Sequence, residues 1–199
     1  MRKRLITVLA ATGLAGASVF VTTGPAQAHG YVSDPTSRQV YCADGTVSGC
    51  GPIQHEPQSV EGPIGFPGAG PEDGQICAGG NEAFAPLDDP RGGAWPTTKL
   101  TAGAEHTFTW THTARHATVD YQYFVTKDGW DPGSELTRAD LEPQPFLTVP
   151  MGGQLPDMKE SHAGKLPDKS GSHLILAVWN NVNTPTAWYA CSDVEFQGA

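Results

Sequence analysis

Charge is scarce in this sequence, and positive charge is scarcer. Asp, Glu, Lys and Arg make up 17% of its 199 residues, with 12 Lys and Arg against 21 Asp and Glu, a formal net charge of −9. Such a balance argues against nucleic acid or an anionic membrane as a partner, whereas a neutral, insoluble polymer is indifferent to it. Cysteine is limited to Cys42, Cys50, Cys77 and Cys191 with no C-x-x-C pair, which argues against a zinc module. Beyond the first 28 residues there is no apolar run long enough to span a bilayer, no repeat and no linker that would divide the chain. What the sequence has in quantity is glycine and proline, 24 and 17 residues, which predicts many turns and few long helices.

The N-terminus is the exception to the absence of apolar runs. Arg2, Lys3 and Arg4 precede a mainly apolar stretch from Leu5 to about Val21. Gly24 and Pro25 break it, and Ala26-Gln27-Ala28 has the small-x-small pattern of a signal-peptidase site. The run is near the lower limit for a membrane anchor and ends in a cleavage signal. It reads as a secretory signal over residues 1–28, leaving residues 29–199 as a single secreted domain. An even cysteine count in an exported chain reads as two disulfides. Three pairings are open, with Cys42–Cys50 as a local staple and Cys77–Cys191 as a long-range one favoured.

From Tyr31 to about Leu100 the chain is rich in Gly and Pro and has no sustained period. Afterwards the pattern changes. His106, Phe108 and Trp110 alternate with threonines, and Val119, Tyr121, Tyr123 and Val125 alternate with Thr118, Asp120, Gln122 and Phe124. Both are period-2 signals for strands. His173 to Trp179 is continuously apolar after its first residue, as expected of a strand buried on both faces, and Trp188 to Phe196 makes a fourth candidate. The expected fold is all-β, an antiparallel sandwich of immunoglobulin or fibronectin type III kind, with a large loop and short-helix excursion between its early strands.

Cleavage after Ala28 would make His29 the first residue. An N-terminal histidine offers its α-amine and ring Nδ1 as two nitrogen donors near neutral pH, and one imidazole from elsewhere completes a three-nitrogen set. Nitrogen-rich tetragonal sites suit Cu(II). The second imidazole must come from His55, His106, His112, His116, His162 or His173. His112 and His116 sit at the turn between two expected strands, where a side chain reaches the surface.

The segment His29-Gly30-Tyr31-Val32-Ser33-Asp34-Pro35-Thr36-Ser37-Arg38 resembles the opening of mature bacterial chitin-active lytic polysaccharide monooxygenases, HGYVxxPxSR. Glu56-Pro57-Gln58-Ser59-Val60-Glu61-Gly62 is similar to their substrate-surface motif, and Thr113-Ala114-Arg115-His116 resembles the segment with their second copper histidine. Leu174 to Asp193 looks like their C-terminal strand pair, and Leu87 to Gly93 and Thr126 to Trp130 also match. The resemblance implies one copper ion held by His29 and His116 on a flat face, with Ala114 beside an open position. Glu61 would be a nearby acid, and Trp188 would stand at the axial side. His55, Glu56, Pro57, Gln58, Thr113, Asn183 and Thr186 would meet the polysaccharide. It implies oxidative cleavage of crystalline chitin at C1, with cellulose the second candidate. The reaction needs an external electron donor and O2 or H2O2, and the protein would act as a monomer.

Three departures accompany the likeness. His55 stands where the family has Tyr or Trp, which weakens sugar stacking or makes it pH-dependent. Trp188 replaces Phe, either as a redox-active neighbour of the copper or as plain core packing. Asn183, Thr184 and Thr186 stand where Asp, Thr and Asn are common. The rival readings are a non-catalytic chitin-binding protein and, further off, a periplasmic copper carrier.

Overall fold

The computed structural model describes residues 28–198, so the expected signal segment, 1–28, lies outside them except for Ala28. Among the described residues no helix is long and apolar enough to cross a membrane. The strands are β1 (His29–Asp34), β2 (Glu61–Pro63), β3 (Thr98–Thr101), β4 (Glu105–Ala114), β5 (Thr118–Val125), β6 (Leu147–Pro150), β7 (Lys159–Lys165), β8 (Gly171–Asn181) and β9 (Thr186–Gln197). One sheet has the order β1-β4-β7 and the other β2-β9-β8-β5-β6. The pairings are antiparallel apart from β3, which runs parallel to β9 along its outer end. The expected sandwich is therefore present, with one parallel edge that alternation could not reveal.

The larger sheet is buried on both faces, which explains why β8 is apolar throughout. Ile175, Ala177 and Trp179 point between the sheets, where they meet Val32, Phe108, Trp110, Tyr121 and Tyr123. Leu174, Leu176 and Val178 point the other way and pack with Phe66, Ile76, Phe84 and Trp95. These last residues belong to the Gly- and Pro-rich excursion, which holds the helix α1 (Arg38–Ala43), several 3-10 turns and β2. The excursion thus covers the outer face of the sheet and carries a core of its own.

Cys42–Cys50 closes a local loop, and Cys77–Cys191 ties the excursion to β9 across 114 positions. A buried ion pair adds a second tie. Arg38 Nε and Nη2 donate to the two Asp193 oxygens at 2.7 and 2.8 Å, Nη1 donates to Leu87 O at 2.8 Å, and the guanidinium lies 4.9 Å over Trp95. The last residue of the HGYV…SR motif thereby grips the last residue of the C-terminal strand motif.

One expected face is corrected. Val119 does not share the buried side of Tyr121 but is 46% exposed, because a register shift between Thr118 and Asp120 turns the start of β5 outward.

Candidate functional site

β1 and β4 bring the site's ends together. His29 pairs with Ala114, while Gly30 pairs with His112, so Thr113 is an extra, exposed residue at a bulge. His116 lies two residues beyond Ala114, in the short turn before β5. Its Nδ1–H donates to Ala117 O at 3.1 Å, an assignment consistent with a carbonyl partner, and this leaves Nε2 with its lone pair. Ala117 O also accepts from Val182 N, and Thr118 Oγ1 donates to the His116 carbonyl while accepting from Trp179 Nε1. The His116 turn is therefore fastened to β8 and to the loop that follows it.

The other histidines have different employment. His112, one of the two residues that pattern placed at the surface, is buried; its Nδ1 faces Asp157 O at 2.8 Å and its Nε2 faces Tyr121 OH at 3.1 Å. The expected turn position is corrected, because β4 continues through His112 to Ala114. Burial pushes its pKa below the ordinary range, so the neutral ring serves as a floor for the site. Gly30 fits directly over that floor: a Cβ there would stand 2.9 Å from His112 Cδ2 and 3.3 Å from Trp179 Cζ3. His162 is buried with Nδ1 at 2.7 Å from Tyr123 OH, and burial pulls its pKa down to about 4. His173 is bonded to Thr126, and His106 lies by Asp34 at the far end of β1. His55 is exposed at the end of the turn Gly51–His55.

On the larger sheet, Glu61 is exposed on β2 and pairs with Trp188 on β9. Trp188 is 2% exposed, with its ring 5.3 Å from Trp179, whose ring lies 4.5 Å from His112. A continuous series of packed rings therefore connects the strand of Glu61 to the floor under Gly30. Trp188 is thus buried in the packed series. Glu61 is held by backbone contact, since a Cβ on Gly79 would lie 2.7 Å from Glu61 O and one on Gly62 would overlap Gly79. The Gly79 turn is anchored in its turn by Asp88, which accepts from Cys77 N at 2.7 Å and Ala78 N at 3.1 Å. Burial raises the Asp88 pKa to about 6. Motif matching missed Asp88 and Gly79 as supports of Glu61, since their relation exists only through packing.

The remaining expected surface residues lie on turns, apart from Thr186, which opens β9. Glu56, Pro57 and Gln58 are half-buried, and the Pro57–Ser59 turn packs beside β1. Asn183 is exposed with a left-handed φ of 57°, and Thr186 is half-buried with its backbone N–H on Thr184 Oγ1. His55 and Asn183 stand outside the packed series that links the two strands.

Among the described residues, no three His, Cys, Asp or Glu side chains gather as a metal site. A centre built on His29 and His116 needs a donor that is not a side chain. The backbone nitrogen of His29 is the nearest candidate; in the full chain it is the peptide nitrogen joining Ala28, and cleavage would turn it into an amine.

The fold is a two-sheet β-sandwich that brings His29 and the His116 turn to one end of its smaller sheet. A family model described as "Lytic polysaccharide mono-oxygenase, cellulose-degrading" matches residues 29–194. The chain is 48% identical over 175 residues to an AA10 family lytic polysaccharide monooxygenase C of Mycosarcoma maydis, covering 86% of this chain and 53% of that one. It is 41% identical over 172 residues to GlcNAc-binding protein A of Shewanella oneidensis, covering 86% and 36%. The chain thus spans about a third to a half of the length of these curated relatives. Among solved structures, an AA10 lytic polysaccharide monooxygenase from Streptomyces lividans is 56% identical with a TM-score of 0.83, covering 84% of this chain and all of that one. A Bacillus amyloliquefaciens CBM33 protein solved in complex with Cu(I) is 36% identical with a TM-score of 0.77, covering 85% and 100%. The chain belongs to the AA10 lytic polysaccharide monooxygenase family, a copper-dependent one.

Proposed function

We propose that residues 29–199, freed of the N-terminal segment, form one secreted, monomeric catalytic domain. It oxidises crystalline chitin at C1, using an external electron donor and O2 or H2O2. One observation carries the reading: His29 faces Ala114 two residues before His116, whose Nδ1 is committed to Ala117 O and whose Nε2 is left over. The residues fit a copper ion, because cleavage would give His29 an amine beside its ring nitrogen and His116 would add the third nitrogen. Bound there, copper supplies one-electron redox chemistry toward O2 or H2O2.

The chain's own residues do the rest. The neutral, doubly bonded His112 ring and Trp179 hold β1 at a fixed height through Gly30, and so fix His29. Ala114, half-buried opposite His29, limits the space beside the centre with its methyl group. Glu61, exposed on the neighbouring edge, accepts and returns a proton at its carboxylate. Trp188 closes the side beneath by packing on Trp179. His55, Glu56, Pro57, Gln58, Thr113, Asn183 and Thr186 meet the polysaccharide. Exposed and half-buried residues on turns and strand ends suit an insoluble lattice, which cannot enter a deep cavity. The GlcNAc-binding names of the relatives support chitin, while the family description makes cellulose the necessary comparison.

The test uses protein beginning at His29, loaded with one copper and freed of excess metal. It is incubated with β-chitin or cellulose and ascorbate, and soluble products are weighed by mass spectrometry. Chito-oligosaccharide aldonic acids from the parent and none from His116→Ala are expected. Tight copper binding and chitin adsorption without any oxidised product, even with peroxide, would leave a binding protein in place of the oxidase.

A further inference from the structure

We propose that the groove flanking Glu61 is a separate subsite for one N-acetylhexosamine unit of a polysaccharide chain, recognised by Asn81 and Glu82. The inference rests on the polysaccharide reading above but concerns residues to which that reading gives no role. The groove has a volume of about 540 Å³ and runs from Ser59 and Glu61 past Thr186 to Asn81 and Glu82. It is therefore continuous with two positions already assigned to the catalytic face. Its floor is backbone: Gly62, Gly79 and Gly80 meet there, and Gly62 and Gly79 are so close that neither admits a Cβ. The missing side chains let β2 and the Gly79 turn touch, which holds Glu61 beside Asn81 and Glu82 along one groove.

The walls select the ligand's chemistry. They carry the Ser59 and Thr186 hydroxyls, the Asn81 amide and the Glu61 and Glu82 carboxylates, with no basic and no aromatic side chain. An anionic sugar, a phosphate or a nucleotide has nothing to pair with. Asn81 Oδ1 already accepts from Ala83 N at 3.0 Å, which leaves its NH2 group to donate. An acetamido group presents a carbonyl to such a donor and an N–H to a neighbouring carboxylate; glucose presents neither. The same Gly80–Glu82 wall bounds a second cavity of about 350 Å³, whose other charged lining groups are Asp88, Asp89 and Glu135. The surroundings on that side are thus equally unsuited to anions.

The experiment is calorimetric titration of the copper(II)-loaded protein with chitohexaose and with cellohexaose, without reductant. The parent is compared with Asn81→Asp, Glu82→Gln and the double variant. Asn81→Asp keeps the oxygen that caps Ala83, so an unchanged melting temperature is expected for each. Loss of one hydrogen bond weakens binding about fivefold. The expected result is a three- to tenfold weaker chitohexaose affinity in each single variant, more in the double, with copper affinity unchanged. Equal chitohexaose affinity in parent and double variant overturns the subsite and leaves the oxidase reading standing. An equal loss for cellohexaose overturns the N-acetylhexosamine assignment. A parent that binds neither oligosaccharide nor either polymer overturns both the subsite and the polysaccharide reading.

Discussion

Gly30 offers the sharpest test of how the site is held. Its φ is ordinary, so replacement by alanine introduces no backbone strain and acts through volume alone. The added Cβ would lie 2.9 Å from His112 Cδ2, 3.3 Å from Thr111 O and 3.3 Å from Trp179 Cζ3. None of these can retreat cheaply. The His112 ring is pinned at Nδ1 by Asp157 O and at Nε2 by Tyr121 OH, Thr111 O belongs to the strand itself, and Trp179 is bonded to Thr118. The strand β1 must therefore lift at its first residues. Overpacking of this kind costs about 1–3 kcal/mol. At about 2–4 °C per kcal/mol for a domain of this size, the melting temperature should fall by roughly 2–12 °C. Because His29 is the residue lifted, copper affinity should fall as well, and the copper EPR spectrum should change. The assay is thermal unfolding of parent and Gly30→Ala with and without one equivalent of copper, followed by EPR. An unchanged melting temperature with an unchanged spectrum would falsify the claim that the His112–Trp179 floor sets the height of His29.

Retaining Ala28, or adding one residue before His29, should weaken copper binding by at least about a hundredfold at neutral pH, since an amide nitrogen replaces the amine; competition with a chelator of known affinity measures it. Arg38→Met should cost about 3–5 kcal/mol by leaving Asp193 buried without its partner, read as a lowered denaturant midpoint. Removing the Cys77–Cys191 bond by paired serine substitution should cost roughly 4–5 kcal/mol, because 114 positions separate its ends. Burial lowers the pKa of His112, His162 and His173, so the unfolded chain binds more protons below about pH 6.5 and stability is lost as pH falls toward 4. Asp88, raised to about 6, acts in the opposite sense, giving stability at low pH that is lost as pH rises through 6. Melting temperature should therefore drop between pH 7 and about 4.5, more steeply in Asp88→Asn and less steeply in His162→Gln.

The sequence by itself determined the elements whose signal is local. The threonine alternation of β4 and the apolar run of β8 depend on which face each side chain meets, and period 2 records that directly. The two disulfides followed from four cysteines in a chain read as exported, with the favoured pairing the one found. His29 and His116 were picked out as candidates by the expected end of the signal segment and by motif likeness. Tertiary structure decided what has no local signature. β2 is three residues, Glu-Gly-Pro, and is a strand only because β9 and the Gly79 turn flank it. His112 and His116 look alike in sequence, four residues apart in a strand-and-turn segment. One is buried under Gly30 and the other is not, because β1 covers β4 as far as Ala114 and no further. Arg38 and Asp193 are 155 positions apart, and only the folding of the excursion onto the large sheet brings their charges into a shared, dry contact. Side-chain type and spacing limit what a residue can do; which neighbour it meets depends on long-range packing, which no window of sequence contains.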